Sequence, residues 1–135
     1  MNKSGLNNYQ NFVKSTTSEE SLNWLSYEKR AKKLYIEEGI NIPLLTTAAI
    51  GMGSESGEFQ EIVKKVIFQG KEYNEDTVFH MKRELGDVLW YVANAATAIG
   101  VSLEDVMNGN IAKLEARYPN GFDVYRCENR EEGDL

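Results

Sequence analysis

Two acidic steps carry the most specific chemistry in this chain: Glu55-Ser-Gly-Glu58 and Glu84-Leu-Gly-Asp87, each spaced i,i+3 within a helical stretch. That spacing puts both carboxylates of a step on one helix face. Four carboxylates gathered by two antiparallel helices repel one another, raise one another's pKa and destabilise the fold unless a cation neutralises them. A donor set made only of oxygen favours Mg²⁺ or Mn²⁺ over zinc or copper. The chemistry expected is a Mg²⁺ site that handles a polyphosphate.

The elements that must position these acids are helices, because helix signals recur along the chain and strand alternation does not. Leu6 to Lys14 reads as a short first helix with Tyr9, Phe12 and Val13 on its apolar side. Thr17-Ser-Glu-Glu20 matches a capping box that opens a second helix through Leu22, Leu25, Ala31, Leu34 and Tyr35, ended by Gly39. Pro43 suits the first turn of a third helix, whose apolar residues Ala48, Met52, Phe59, Ile62, Val63 and Val66 recur at helical spacing until Gly70. After a polar loop, a fourth helix runs from about Glu75 to Ile99, and Ser102-Leu-Glu-Asp105 caps a fifth that runs to Pro119. The expectation is an all-α bundle of four to five helices. It occupies a single domain over 1–123 with its motif-bearing core at 43–123, and 124–135 forms a mobile C-terminal tail.

At about 100° per residue, Glu55 falls within the apolar stripe of Ala48, Phe59, Ile62 and Val66, and Glu58 lies about 60° to one side. Glu55 is expected to point inward, where an ionised carboxylate is costly unless paired or metal-bound. In the fourth helix Glu84, Asp87 and Tyr91 share one side, Met81, Leu85, Val88, Leu89, Val92 and Ala96 form the main apolar stripe, and Phe79 and Trp90 cover a third side. Such a helix is expected to be central, with its acids buried, packed on several sides by its own domain and in part by another subunit. Gly57 and Gly86 are expected to allow close approach. The plainer alternative is that all these acids are surface groups paired with Lys64, Lys65, Lys82 and Arg83.

Composition narrows the function classes. The chain has 135 residues, of which 41% are hydrophobic, which suits one compact domain with a modest core that a partner subunit completes. A net charge of -6 argues against a nucleic-acid groove or an anionic membrane surface, since both need clustered Lys and Arg. Cys127 is the only cysteine, so there is no internal disulfide or Cys-based zinc cluster, and a reducing, cytoplasmic setting is the simplest reading. No apolar run approaches the roughly 18 residues that span a bilayer. His80 lacks the ExxH arrangement of a di-iron carboxylate bundle.

Three ordered motifs together resemble the MazG-like nucleotide pyrophosphohydrolases, especially their small single-domain members. These are Glu55-x-x-Glu58, then after 25 residues Glu84-Leu-Gly-Asp87-Val-Leu-Trp-Tyr91, and finally Asn110-Ile-Ala-Lys113-Leu-Glu-Ala-Arg117-Tyr-Pro. The resemblance covers about Pro43 to Asp123. It implies an all-α NTP pyrophosphatase that assembles as a homodimer or homotetramer and cleaves NTPs or dNTPs to monophosphate and pyrophosphate. It also implies that Glu55, Glu58, Glu84 and Asp87 hold Mg²⁺ and that Tyr91 lies near the bound nucleotide. The family motif begins with two adjacent acids, and here Ser54 stands in the first place, which alters the surroundings of the ligands but not the ligands themselves.

Hydrolysis between the α and β phosphates needs charge neutralisation, an in-line water and a group to take the water's proton. Glu61, one turn beyond Glu58, is a candidate base alongside Glu55, or else a surface acid paired with Lys64 or Lys65. Asn110, Lys113 and Arg117 form one polar, cationic stripe suited to gripping phosphates, or else a solvated face whose cations suit a helix C-terminus. Two other functions stay open: a non-catalytic helical module that binds nucleotide or Mg²⁺, and a narrow-substrate relative acting on dUTP, dCTP or phosphoribosyl-ATP. Trp24, Tyr35, Phe68 and Trp90 could each stack on a base, although filling the core explains each as well.

Overall fold

The computed structural model describes residues 3–129, with side chains from residue 8 onward. The described residues are all-α, with no strand and a single isolated bridge between Pro119 and Gly121. The helices are α1 (Lys3–Thr16), α2 (Glu19–Leu22), α3 (Trp24–Glu37), α4 (Ile42–Phe68), α5 (Glu75–Ala98), α6 (Leu103–Arg117) and α7 (Val124–Glu128). None of them is long and apolar enough to cross a membrane. The chain divides into two compact units, Met1–Ile42 and Pro43–Leu135, and all the acidic and basic motif residues belong to the second.

In the first unit, the helix expected to run unbroken from the Thr17–Glu20 segment is split at Asn23. Asn23 has extended backbone (φ -131°, ψ 122°), and its side-chain oxygen accepts from the backbone N–H groups of Leu25 and Ser26 at 2.9 and 3.2 Å. An asparagine that satisfies two orphan donors makes a better start for α3 than a mid-helix residue. The expected capping box does not form. The Thr17 hydroxyl donates back to the Val13 carbonyl at 2.7 Å, and Ser18 takes the N-cap place with its hydroxyl on Ser21 rather than on the backbone.

In the second unit the sequence signals match the helix ends closely. Asn74 caps α5 by accepting from Thr77 N–H at 3.0 Å, and the buried Thr77 hydroxyl donates to the Glu72 carbonyl at 2.8 Å, which ties the preceding loop to the helix. The expected capping box at Ser102 is present. Asp105 N–H donates to the Ser102 hydroxyl at 3.0 Å, and Ser102 N–H donates to the Asp105 carboxylate at 3.1 Å. These bonds, the serine hydroxyl's foremost, hold the Asp105 carboxyl below the usual range. At the end of α4 the chain leaves through Gly70, whose φ of 68° suits glycine, and Lys71 N–H returns to the Lys65 carbonyl at 3.1 Å.

Two expectations about packing are corrected. The core-facing hydrophobics buried among the described residues are only Ala48, Ala96 and Ala98, whereas Leu89 and Trp90 of α5 are 61% and 57% exposed. The fourth helix of the sequence reading, α5, is therefore not enclosed by its own chain, and Asp87 is exposed while Glu84 is half-buried. Gly57 and Gly86 face open space, with nothing within 4 Å of where a Cβ would stand. The glycine that does accept a close neighbour is Gly51, which is buried against the Tyr91 ring.

Candidate metal centre

α4 and α5 are joined by the short connection 69–74, and because Gly51 meets Tyr91 while Glu58 meets Glu84 they form an antiparallel hairpin. Glu55 and Glu58 lie on successive turns of α4, and Glu84 lies on α5. One carboxylate oxygen from each of these three acids falls within 4.8 Å of the other two. Asp87 completes the charged group, since its charge acts on Glu55 together with those of Glu58 and Glu84. Burial is the largest influence on the Glu55 carboxyl and pushes it above the usual glutamate range. The charges of Glu58, Asp87 and Glu84 push in the same direction.

The register of the hairpin explains why these residues meet. Gly51 touches Tyr91, Glu55 and Glu58 both reach Glu84, and the charge of Asp87 acts on Glu55. The seven residues from Gly51 to Glu58 on α4 match the seven from Tyr91 back to Glu84 on α5, so the i,i+3 spacing in both helices brings acid opposite acid. Tyr91 is half-buried between Gly51 on one side and the Trp90 ring on the other, at 4.8 Å and 82° to it.

The donor set fits a hard divalent cation. The side chains offer only carboxylate oxygens, Glu55 carries uncompensated repulsion, and among the described residues no salt bridge reaches any of the four acids. Octahedral Mg²⁺ with bonds of about 2.0–2.1 Å spaces its ligands roughly 3–4 Å apart, so the three converging oxygens need only small side-chain movements to share one ion.

Glu61 belongs to a different environment. It pairs with Lys64 and, at 3.4 Å, with Lys65, and the hydrogen bond from Lys64 leads in holding its carboxyl below the usual range. The cationic stripe lies on α6, where Asn110 and Lys113 are exposed and Arg117 is half-buried. The helix packs against α5, yet no ion pair joins Lys113 to the acids among the described residues.

Sequence reasoning missed α7, which occupies 124–128 of the expected tail, while residues 130–135 lie outside the described residues. Asp123 caps α7 by accepting from Arg126 N–H at 2.8 Å, and the Arg126 guanidinium donates to the Arg117 carbonyl at 3.4 Å. The Arg117 guanidinium carbon lies 5.9 Å from the centre of the Tyr118 ring. A hydrogen bond with Cys127 leads in pushing the Tyr118 phenol above its ordinary range. Aspartate three residues before arginine, just past a Pro-Asn-Gly turn, was the available signal for this helix.

A pH dependence follows for the metal-free protein. The Glu55 carboxyl titrates higher in the folded than in the unfolded chain, so the folded state binds more protons between those two values. The contribution of Glu55 to stability is fully present below the ordinary glutamate value and is lost as pH rises through the raised one. A series of melting temperatures in EDTA should fall across that window, and Glu55→Gln should flatten the fall. An identical slope in the variant would remove Glu55 from the repulsive cluster.

Comparison with known proteins gives the same segment. A family profile described as the MazG nucleotide pyrophosphohydrolase domain matches residues 46–122, more than half of the chain and wholly inside the second unit. The Gene 37 protein of Mycobacterium phage L5 is 34% identical over 88 residues, covering 64% of this chain and 76% of the phage protein. No solved structure gives a significant match.

Proposed function

The chain belongs to the MazG nucleotide pyrophosphohydrolase family, and from that premise we propose that it is a Mg²⁺-dependent enzyme hydrolysing NTPs or dNTPs to the monophosphate and pyrophosphate. The observation that carries this reading is the convergence of Glu55, Glu58 and Glu84 within 4.8 Å on one hairpin inside the matched segment. Those three acids and Asp87 are the proposed ligands. Bound there, Mg²⁺ or Mn²⁺ would neutralise the phosphate oxygens and stabilise the departing pyrophosphate.

The chain's own residues supply the rest. The attacking water must lose a proton as its oxygen bonds to the α-phosphorus and the bond from that phosphorus to the bridging oxygen breaks. Glu55 and Glu61 are the two candidate bases: Lys64 and Lys65 hold Glu61, and Glu55 takes the proton only through an oxygen that the cation leaves unbound. Lys113 and Arg117 of α6 pair with phosphate oxygens, Asn110 hydrogen-bonds to sugar or phosphate, and Tyr91 packs beside the nucleotide. Exposed Ile50, Leu89 and Trp90 on α4 and α5 support assembly as a homodimer or homotetramer, because apolar side chains of this size are usually covered. A nucleotide substrate and a single cysteine fit a cytoplasmic setting.

Product analysis tests this function directly. Purified protein incubated with a panel of NTPs, dNTPs and phosphoribosyl-ATP should release monophosphate and pyrophosphate with Mg²⁺ and nothing with EDTA. Diphosphate and orthophosphate would overturn the bond assignment, and binding without turnover would favour a non-catalytic nucleotide module.

A further inference from the structure

We propose that Gly51 is a positioning residue of the metal centre, acting through Tyr91 to hold α4 and α5 at the separation that lets their acids share one cation. The inference rests on the reading of Glu55, Glu58, Glu84 and Asp87 as cation ligands. It names a residue that touches neither the ion nor the substrate.

Gly51 lies one turn before Glu55, and Tyr91 lies one turn after Asp87, so the contact between them is the next rung of the hairpin that carries the acids. A Cβ added at Gly51 would overlap Cδ1, Cε1 and Cζ of the Tyr91 ring. No substitution therefore fits without moving the ring or the helices. The Trp90 ring stands edge-on to Tyr91 at 4.8 Å, which restricts the space into which the tyrosine can turn. Gly53 is a contrasting position on the same helix, where an added Cβ meets nothing within 4 Å.

Conformational freedom does not explain the glycine. Gly51 sits inside α4 and is absent from the glycines with positive φ, so alanine would suit its backbone and even favour the helix. What glycine contributes is the missing methyl group. Filling that space parts the helices close to Glu55 and Asp87, and the carboxylates, already near the limit for sharing a small ion, move out of common reach.

The test is a Mn²⁺ titration followed by the EPR signal of the free ion, using the full chain. Gly51→Ala should weaken Mn²⁺ binding roughly tenfold or more, while Gly53→Ala leaves it unchanged. In a Tyr91→Ala background, where the ring is gone, adding Gly51→Ala should change the affinity less than about threefold, which makes the two positions a coupled pair. An equal penalty in both backgrounds, or wild-type affinity in Gly51→Ala, overturns the proposal. Should Gly51→Ala fail to fold, recovery of helical structure in Gly51→Ala/Tyr91→Ala supports it and continued unfolding overturns it. Wild-type protein that binds no Mn²⁺ at the acids removes the metal reading and this inference together, whereas an indifferent Gly51→Ala with normal wild-type binding removes only the inference.

Discussion

Glu58→Gln and Asp87→Asn should each reduce Mg²⁺-dependent turnover by roughly 10²-fold or more, while the helical circular dichroism spectrum stays that of the wild type. Both substitutions keep the volume of the side chain and remove one negative ligand. Both sites are exposed, so no core packing is lost. The sign of the stability change makes the prediction specific. In EDTA each variant should melt at the same temperature as the wild type or slightly higher, because one charge has left a repulsive group that already pushes Glu55 upward. With Mg²⁺ the order should reverse, since the wild type gains binding energy that the variants lack. Normal turnover in both variants would remove the acids from the reaction, and collapse of the fold would mean that they serve structure instead.

The second large effect should come from α6. Lys113→Ala is expected to raise KM for the nucleotide about tenfold with a smaller change in kcat, the low end for loss of a charged hydrogen bond at an exposed site. Lys113→Ala with Arg117→Ala should raise it roughly 10²-fold if the two contributions add. Both cations lie on the helix that packs against α5. Arg117 has an additional structural tie, because its carbonyl accepts from Arg126 and its guanidinium lies over Tyr118. Lys113→Ala is therefore the cleaner measurement. Unchanged KM and kcat in that variant would take Lys113 out of the phosphate grip and leave it as a solvated surface cation.

What could be read from the chain depended on whether the signal was local. The stops at Gly70 and Gly100 and the capping box at Ser102–Asp105 are legible because one or two residues decide each of them. The approach of Glu55 and Glu58 to Glu84 is legible because identical spacing in two antiparallel helices has few geometric outcomes. The break at Asn23 was hidden by apolar periodicity, since Leu22, Leu25, Leu34 and Tyr35 keep helical spacing across it and a cap at Asn23 leaves that spacing intact. The enclosure expected for α5 failed for a different reason. Its apolar sides are real, but a sequence does not say whether its own chain or another copy covers them, and here Leu89 and Trp90 remain open. The choice among Gly51, Gly57 and Gly86 required the position of the opposing ring, which depends on the hairpin register rather than on any residue nearby in sequence.

That register also bears on how the chain folds. All four acids belong to one helix–loop–helix segment between Ile42 and Ala98, in which Glu58 and Glu84 lie 26 residues apart and Gly51 and Tyr91 lie 40 apart, so both contacts form only when the hairpin closes. Zippering outward from the connection at 69–74 brings Glu58 to Glu84 before it brings Gly51 to Tyr91. Closure thus brings like charges together before it seats the tyrosine, and that repulsion is part of the climb. The tyrosine seated on the glycine acts as a latch at the far end, and a divalent cation held by the acids during folding would lower the climb toward it.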